Sequence, residues 1–321
     1  MPETARARRA PVASLLAAGL VLSGCVFQQS GEAGIDGPIT LGFVNGGTTQ
    51  FHTCLAESVE QFARYNRARI YTADSHQDAG TELSNIDDMI GREVDALIIQ
   101  TVNVDALEDD IAKAKKAGVP VFLTSVLPED TSDILGAVVV DLKKVGALDA
   151  QWIARDADGR SVQVGIVAGA PGAASDLLVG GFTKALPDSA EVVADQPGMF
   201  DPAKARQVAE DMIQAHPGLD YAFVANEEMA FAVRKAFDAA GAGDVRIVTV
   251  NGTDEGLAAL KDGRFAATVA NSAADTGELA VTNTIAMLRD EDTDKIANTR
   301  VRLVTKRTAD TAPLYCPPDV G

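Results

Sequence analysis

The sequence is poor in the residues on which enzymes, metal centres and nucleic-acid binders depend. It has only three histidines and three cysteines among 321 residues, and no paired C-x-x-C, H-E-x-x-H or G-x-S-x-G motif. Its 28 lysines and arginines are outnumbered by 46 aspartates and glutamates. Because phosphate contacts need clustered basic side chains, we expect no nucleic-acid partner. The missing motifs predict a protein that is not an enzyme and that carries no metal and no cofactor.

Long apolar runs are also lacking, and the most apolar segment lies at the N-terminus. Three arginines between residues 6 and 9 precede an apolar run over residues 12–21, and the sequence L-S-G-C follows, ending at Cys25. About ten apolar residues are too few to span a bilayer, but this order of features is typical of an exported signal peptide. The L-S-G-C sequence resembles the lipobox of bacterial lipoproteins, in which the signal is cleaved before the cysteine and the thiol is lipidated.

We therefore expect a signal peptide over residues 1–24, a lipid on Cys25 and a polar tether over residues 25–37. Removal of the three arginines and one glutamate of the signal changes the net charge from −18 to −20. The predicted location is extracytoplasmic, in a periplasm or on the outer face of the cytoplasmic membrane. An exported compartment is oxidising, so Cys54 and Cys316 can form a disulfide, and two unpaired buried thiols are the alternative.

Beyond the tether, strand-like and helix-like segments alternate. The pattern runs from about residue 39 to residue 140 and begins again at residue 162. Continuous apolar strands between amphipathic helices predict an α/β fold with parallel sheets that are covered on both faces. Two similar halves without a long flexible linker predict two lobes with a cleft between them.

The segment 221–232 (YAFVANEEMAFA) shows how such a unit can bind a ligand. Its first four residues predict a buried strand, and Asn226 then begins a helix with two glutamates in its first turn. An asparagine at this place is a favourable N-cap. Ligands of open α/β sheets bind beyond the carboxyl ends of the strands, so Asn226 is also a candidate ligand contact. Asp74 and Gln100 follow strands in the same way and are candidates too.

Several segments together resemble the type I sugar-binding proteins of ABC transporters, the ribose-binding-protein-like group. In chain order they are 83–90 (LSNIDDMI), 94–99 (VDALII), 114–121 (AKKAGVPV), 214–217 (QAHP), 226–230 (NEEMA), 251–253 (NGT) and 267–270 (ATVA). The resemblance covers nearly all of the chain after the signal. It implies two Rossmann-like lobes with a three-crossover hinge, the crossovers lying near Asp141, Asn271 and Leu303. The first lobe would then comprise residues 38–140 and 272–302, and residues 141–271 and 303–321 would form the second lobe and a C-terminal tail.

The resemblance also implies ligand contacts at matching positions. Phe51 matches an aromatic residue that stacks on the sugar, His52 stands where a second aromatic is common, and Phe200 matches a further aromatic. Amides are expected from Asn226, from Asn251 in place of the usual Asp, and from Asn271 in place of the usual Gln. Aromatic faces and amides suit a neutral polyhydroxy ligand, because rings contact its C–H faces while amides bond its hydroxyls.

Two departures from the family pattern bear on the ligand. Ser125 stands where sugar binders often carry Asp-Arg, and Asp176 lies where they carry an arginine. Charge-assisted hydrogen bonds are roughly twice as strong as neutral ones. Both positions remain candidate contacts, but the change leaves open whether the ligand is a sugar, a polyol or a nucleoside-type molecule.

The resemblance implies a monomeric, membrane-anchored solute-binding protein. It would close by a hinge motion on a small neutral polar ligand and deliver it to the permease subunits of an ABC importer. An extracytoplasmic sensor that signals to a membrane kinase or chemoreceptor would have the same cleft and is the alternative. Transcriptional regulators share the fold, but a lipobox occupies the place of their DNA-binding helices.

Overall fold

The computed structural model describes residue 35 and residues 37–102 and 104–318. The predicted signal peptide (1–24), Cys25 and the predicted tether (25–37), apart from Ile35 and Gly37, lie outside the described residues. Within the described part of the chain, no helix is both long enough and apolar enough to cross a membrane.

Strands and helices alternate along the described chain, as the sequence predicts. The strands are β1 (Thr40–Asn45), β2 (Arg69–Asp74), β3 (Ala96–Gln100), β4 (Val121–Ser125), β5 (Gly136–Val139), β6 (Val162–Ala168), β7 (Ala190–Pro197), β8 (Tyr221–Val224), β9 (Arg246–Asn251), β10 (Ala267–Asn271), β11 (Ile296–Asn298) and β12 (Val301–Thr305). The α-helices are α1 (Gln50–Tyr65), α2 (Ala79–Gly91), α3 (Val104–Lys116), α4 (Leu142–Ala157), α5 (Ala173–Ala185), α6 (Pro202–Ala215), α7 (Glu227–Ala239), α8 (Asp254–Asp262) and α9 (Ala273–Leu288). A 3-10 helix, Ala309–Thr311, follows β12.

The strands form two sheets of six. The first has the order β11-β5-β4-β3-β1-β2 and the second the order β12-β10-β9-β8-β6-β7. Neighbouring strands are parallel except β12, which pairs with β10 in the antiparallel direction at the edge of the second sheet. The prediction of an α/β fold with two lobes and parallel sheets is confirmed.

The chain passes between the two sheets at three places. The first two lie after β5 and after β10, at the predicted positions near Asp141 and Asn271. The third lies between β11 and β12, before Leu303, because Val301 and Arg302 already pair with β10 of the second sheet. The sequence-based boundary that placed residues up to 302 in the first lobe is therefore wrong by two residues at this crossover.

Each sheet is buried on both faces. On one face of the first sheet, Leu41 and Phe43 pack with helices α1 and α9, and on the other face Val44 and Ile99 pack with α2 and α3. Continuous burial explains why these strands read as unbroken apolar runs rather than as alternating patterns. The second lobe has one large core that surrounds its sheet.

Helix α4 and strand β11 are absent from the sequence-based description. Asp141 begins α4 by accepting a hydrogen bond from Lys144 N, and Val145 and Ile153 point from the helix into the core of the second lobe. Polar residues interrupt the apolar positions of α4, which weakens its periodic signal.

The predicted C-terminal tail contacts both lobes. The 3-10 helix packs against α8 of the second lobe, and the chain then returns to the first lobe. There Tyr315 is buried beside Cys54 and Ala273, and Cys316 is bonded to Cys54 in a disulfide that closes 262 residues of sequence. The disulfide is one of the two cysteine states that the sequence leaves open.

Helices α4 and α5 approach closely because each has a glycine at the contact. A Cβ atom on Gly146 would meet the backbone of Leu178 and Phe182, and one on Gly181 would meet the backbone of Lys143. Backbone atoms of a packed helix cannot move aside as a flexible side chain can. The neighbouring Gly180 is exposed, with nothing near the position of its missing Cβ.

Gly181→Ala should force the two helices apart and lower the free energy of unfolding by about 1–3 kcal/mol. Gly180→Ala is the matched control, one residue away on the same helix, and should be neutral or stabilising by up to about 1 kcal/mol, because alanine is the better helix former. Urea unfolding of both variants provides the measurement. Equal effects of the two substitutions would contradict the close approach of the helices.

Candidate functional site

The carboxyl ends of the strands in the first sheet carry a row of polar side chains. Asp74 of β2, Asn45 of β1 and Gln100 of β3 are aligned in the register of the parallel strands. Aligned residues of neighbouring strands face the same side of a sheet. Two of the three, Asp74 and Gln100, are predicted contacts. Asn45 was missed, although it ends a strand as they do.

Gln100 and His52 form a hydrogen-bonded pair beside this row. Gln100 Oε1 lies 3.1 Å from His52 Nε2 and accepts a second hydrogen bond from Gly46 N. Because Gln100 Oε1 accepts hydrogen bonds from two donors, the oxygen of this amide is oriented towards them. The Gln100 Nε2 group then remains available as a donor. His52 Nε2 therefore carries the proton, and Nδ1 accepts a hydrogen bond from the Thr49 hydroxyl, 2.8 Å away.

The imidazole of His52 is neutral at physiological pH. Burial lowers its pKa from 6.5 to about 4, against the smaller opposing effects of the hydrogen bond to Gln100 and the charge of Asp74. The residue lies on the first turn of α1, next to Phe51, and their rings meet edge to face at a centroid distance of 5.7 Å. Phe51 is partly buried against the first lobe's core and against the disulfide of the tail.

Among the residues that the structure describes, three oxygen atoms near the strand ends are buried without a hydrogen-bond partner. They belong to the side chains of Asn45, Ser125 and Asn271. The Nδ2 group of Asn45 donates to the carbonyl of His52, so only its Oδ1 lacks a partner. Unpaired buried polar atoms are rare in folded proteins, and each needs an explanation such as a ligand or an ordered water.

Asn226 is the N-cap of α7, as the sequence predicts. Its Oδ1 accepts a hydrogen bond of 2.8 Å from Met229 N. The cap uses the carbonyl oxygen, which leaves the Nδ2 group as a donor at the end of β8. Capping and ligand binding are therefore compatible roles for this residue.

Asn251 ends β9 in an unusual backbone conformation that a buried carboxylate supports. Its φ angle is 139°, and the next residue, Gly252, has φ 86°. Glu227 of α7 accepts hydrogen bonds from Gly252 N, Thr253 N and the Thr268 hydroxyl. Burial raises the pKa of Glu227, and these hydrogen bonds act in the opposite direction.

Glu82 has a similar role in the first lobe. It lies on α2, is fully buried, and accepts hydrogen bonds from the Thr101 hydroxyl and from Val102 N in the segment after β3. Sequence reasoning missed both carboxylates. Their only signal was an acidic residue in the first turn of a helix, which is usually a response to the helix dipole.

Phe200 lies in the segment between β7 and α6, with φ 52°. Its ring covers Gly169 at the end of β6, where any side chain would collide with the ring. Met199, Ser125 and Asn251 also have positive φ angles, so left-handed conformations of residues other than glycine recur at these strand ends. Such conformations cost energy and are concentrated at functional sites.

Asp176 is the predicted contact that is least connected to the others. It is exposed in the first turn of α5, whereas its neighbour Ser175 is buried and accepts a hydrogen bond from Gly169 N. Among the described contacts, none joins Asp176 to another predicted residue, and its role stays a prediction.

Asp74 accepts a hydrogen bond from His76 N, 2.7 Å away.

The two lobes touch at the N-terminus of α1. Gln50 N donates to Glu228 Oε1 of α7 at 3.4 Å. Helix α1 has no side-chain cap of its own and no acidic residue in its first turn. A carboxylate from the opposite lobe therefore supplies the negative charge that a helix N-terminus favours.

A group of possible metal ligands in the described chain comprises Cys54, Glu57 and Cys316. Both sulfur atoms are joined in the disulfide, so neither is a thiolate that can bind a metal. The chemistry near the strand ends is instead that of amides, hydroxyls and aromatic rings.

Replacing His52 with Gln should change how stability depends on pH. The folded pKa lies below the unfolded value, so the His52 contribution is fully present above pH 6.5 and is lost as the pH falls towards about 4. The difference in free energy of unfolding between the wild type and His52→Gln should be constant above about pH 7.5. At pH 4.5 the wild type should have lost about 2–3 kcal/mol of stability relative to the variant. Urea unfolding across this range measures the difference. A pH-independent difference would contradict a buried neutral imidazole.

Comparison with known proteins identifies the family. A family model described as periplasmic binding protein domain matches residues 41–292. The ribose import binding protein of Bacillus subtilis is 28% identical over 258 residues, which cover 80% of this chain and 84% of that protein. The xylitol-binding protein of Mycolicibacterium smegmatis is 27% identical over 216 residues, which cover 66% of this chain and 61% of that protein.

A solved structure extends the likeness to the whole fold. The periplasmic binding protein of the arabinose ABC transporter from Shewanella sp. ANA-3, bound to L-arabinofuranose, is 27% identical with a TM-score of 0.80, and the match covers 85% of this chain and 93% of that chain. Members of this family are extracytoplasmic solute-binding transport proteins and not enzymes. The chain belongs to the type I periplasmic sugar-binding proteins.

Proposed function

We propose that this protein is the membrane-anchored solute-binding component of an ABC importer and that it binds a small neutral polyhydroxy molecule. The ligand lies between the two sheets, at the carboxyl ends of their strands, and the lobes close on it by a hinge motion. Sugars and polyols, which the related proteins bind, are the first ligand classes to consider.

The observation that carries this proposal is the set of unpartnered oxygens on Asn45, Ser125 and Asn271. An acceptor without a partner costs about 1–3 kcal/mol when it is buried, and ligand hydroxyl groups remove that cost by donating to it. Asn45 is thereby an additional contact beside the residues that the sequence proposed.

Donors complement these acceptors. Gln100 and Asn226 use their carbonyl oxygens within the protein, which leaves their amino groups for ligand oxygens. A hydroxyl group both donates and accepts, so a polyhydroxy ligand can satisfy both sets.

The charge of the site favours a neutral ligand. Among the described hydrogen bonds and ion pairs, none joins a predicted contact residue to a lysine or an arginine. His52 adds no positive charge, because burial holds its pKa at about 4. An anionic ligand would therefore lack the cations that usually bind it.

Aromatic faces complete the site. Phe51 on α1 and Phe200 before α6 come from different lobes. The Phe51 ring packs beside Ala273, two residues after the end of β10, and the Phe200 ring covers Gly169, directly after β6. In this proposal they pack against the C–H faces of the ligand, while Asn251 and Asp74 bond hydroxyls at its edge.

The contact of Glu228 with Gln50 N supports closure of the lobes on the ligand. In this proposal a lipid on Cys25 holds the monomeric protein at the membrane, next to the permease subunits that receive the ligand. The order of basic, apolar and L-S-G-C segments supports this anchoring.

A thermal-shift screen should identify the ligand class. The panel comprises D-ribose, L-arabinose, D-allose, xylitol, myo-inositol and adenosine. A ligand at 100 times its dissociation constant stabilises the folded state by about 2.7 kcal/mol, which raises the melting temperature by several degrees. We expect a sugar or polyol to do so. No shift with any neutral polyhydroxy compound, or a shift with adenosine alone, would contradict the proposed ligand class.

Substitutions of Asn226 separate its two roles. Asn226→Asp keeps the capping oxygen but replaces the amino donor with an acceptor, so ligand affinity should fall by roughly ten- to a hundred-fold, about 1–3 kcal/mol, with little loss of ligand-free stability. Asn226→Ala should lower both affinity and stability. Tyr65→Ala, at an exposed position at the far end of α1, is the control and should change neither. If Asn226→Asp binds the ligand with unchanged affinity, Asn226 is only a helix cap and not a ligand contact.

Replacing Cys25 with Ser tests the lipid anchor. The variant should lose incorporation of radiolabelled palmitate and should move from the membrane fraction to the soluble extracytoplasmic fraction. Ligand affinity should stay the same, because none of the predicted ligand contacts lies in the predicted tether. Continued membrane association of the unlabelled variant would contradict the anchor.

A further inference from the structure

The last part of the described chain, residues 309–316, forms a segment that we name the C-terminal strap. Its first end is attached to the second lobe. The 3-10 helix Ala309–Thr311 packs against α8, and Asp310 forms an ion pair with Lys261 at 2.6 Å. Arg302 of β12 donates to Thr311 Oγ1 at 3.0 Å and to the preceding carbonyl of Thr308.

The other end of the strap is attached to the first lobe. Leu314 O accepts a hydrogen bond of 2.7 Å from the Ser272 hydroxyl, and Tyr315 O accepts one of 3.0 Å from Ala274 N. The Tyr315 ring is buried between α1 and the start of α9, and the Cys54–Cys316 disulfide makes this attachment covalent.

The strap is thus a fourth connection between the lobes, in addition to the three crossovers. Only Ala312 and Pro313 separate its two attached ends. Three residue steps extend to at most about 11 Å, and proline has a fixed φ angle. A span this short cannot lengthen much when the lobes move apart.

The strap also contacts the candidate ligand site. Phe51 packs in the same apolar cluster as Cys54, Tyr315 and Cys316. Ser272, which bonds the strap, directly follows Asn271. The strap therefore restrains two predicted ligand contacts, Phe51 by direct packing and Asn271 through the adjacent Ser272.

We propose that the disulfide-anchored strap limits the opening of the cleft and positions Phe51 and Asn271 for the ligand. By keeping the ligand-free protein near its closed geometry, the strap reduces the conformational cost of binding and so increases affinity. The restraint on opening is independent of the proposed function. The effect on affinity, in contrast, rests on the proposed function.

The test compares the full-length, oxidised wild type with Cys54→Ser/Cys316→Ser by small-angle X-ray scattering without any ligand. The radius of gyration of the double variant should be larger, because the fourth connection is no longer covalent. Hydrogen exchange of the Ala274 amide should be faster by about tenfold or more, since its acceptor on the strap is no longer held. Tyr315→Phe is the matched control and should behave as the wild type, because the Tyr315 hydroxyl has no hydrogen-bond partner among the described residues.

A disulfide that only stabilises the fold would give another result. The double variant would then melt at a lower temperature, while its radius of gyration stayed equal to that of the wild type, and this outcome would overturn the proposal. If Cys54→Ser prevents folding, the single variant Cys316→Ser keeps the buried Cys54 side chain and tests the same prediction.

Titration with D-ribose and xylitol adds the binding measurement. Whichever of the two the wild type binds should bind the double variant about tenfold more weakly, which is about 1.4 kcal/mol. If the wild type binds neither, that result bears on the proposed ligand class, and the scattering comparison still decides whether the strap limits opening. Equal affinity of wild type and double variant would reject the positioning role of the strap.

Discussion

Burial of polar groups at the strand ends is the constraint on which the rest of this structure depends. Asn45, Ser125 and Asn271 each keep an oxygen atom out of water without a partner. Such atoms cost about 1–3 kcal/mol apiece, so a closed cleft is favourable only when something donates to them. Under the proposed function, two lobes joined by crossovers meet this constraint, because they would open to water and close on the hydroxyl groups of a ligand.

Two buried carboxylates make the strand ends rigid enough for this purpose. Glu82 holds the segment after β3, and Glu227 holds the segment after β9 through Gly252 and Thr253. Backbone N–H groups in irregular segments would otherwise lack partners once the site is buried. Each carboxylate accepts hydrogen bonds from such groups, and Glu227 thereby holds the backbone directly after Asn251, whose φ angle is positive.

The first five residues of α1 contact the opposite lobe, the first sheet and the C-terminal strap. Gln50 N bonds Glu228 of the opposite lobe, His52 bonds Gln100 of the neighbouring strand, and Cys54 is joined to the C-terminal strap. Phe51 lies between them. Five consecutive residues thus combine the contact with the opposite lobe, the neutral imidazole, an aromatic ring and the covalent attachment.

Local signals in the sequence determined the alternation of strands and helices, the cap at Asn226, and the polar residues at the ends of strands. These features depend on neighbouring residues, so a single sequence contains them. The tertiary structure alone decided which strand ends align, and thereby placed Asn45 beside Gln100. It also decided the course of the strap, since a cysteine 262 residues away leaves no local trace at Cys54. Partners that are distant in sequence are selected by packing and hydrogen-bond satisfaction in the folded state, and no local pattern encodes them.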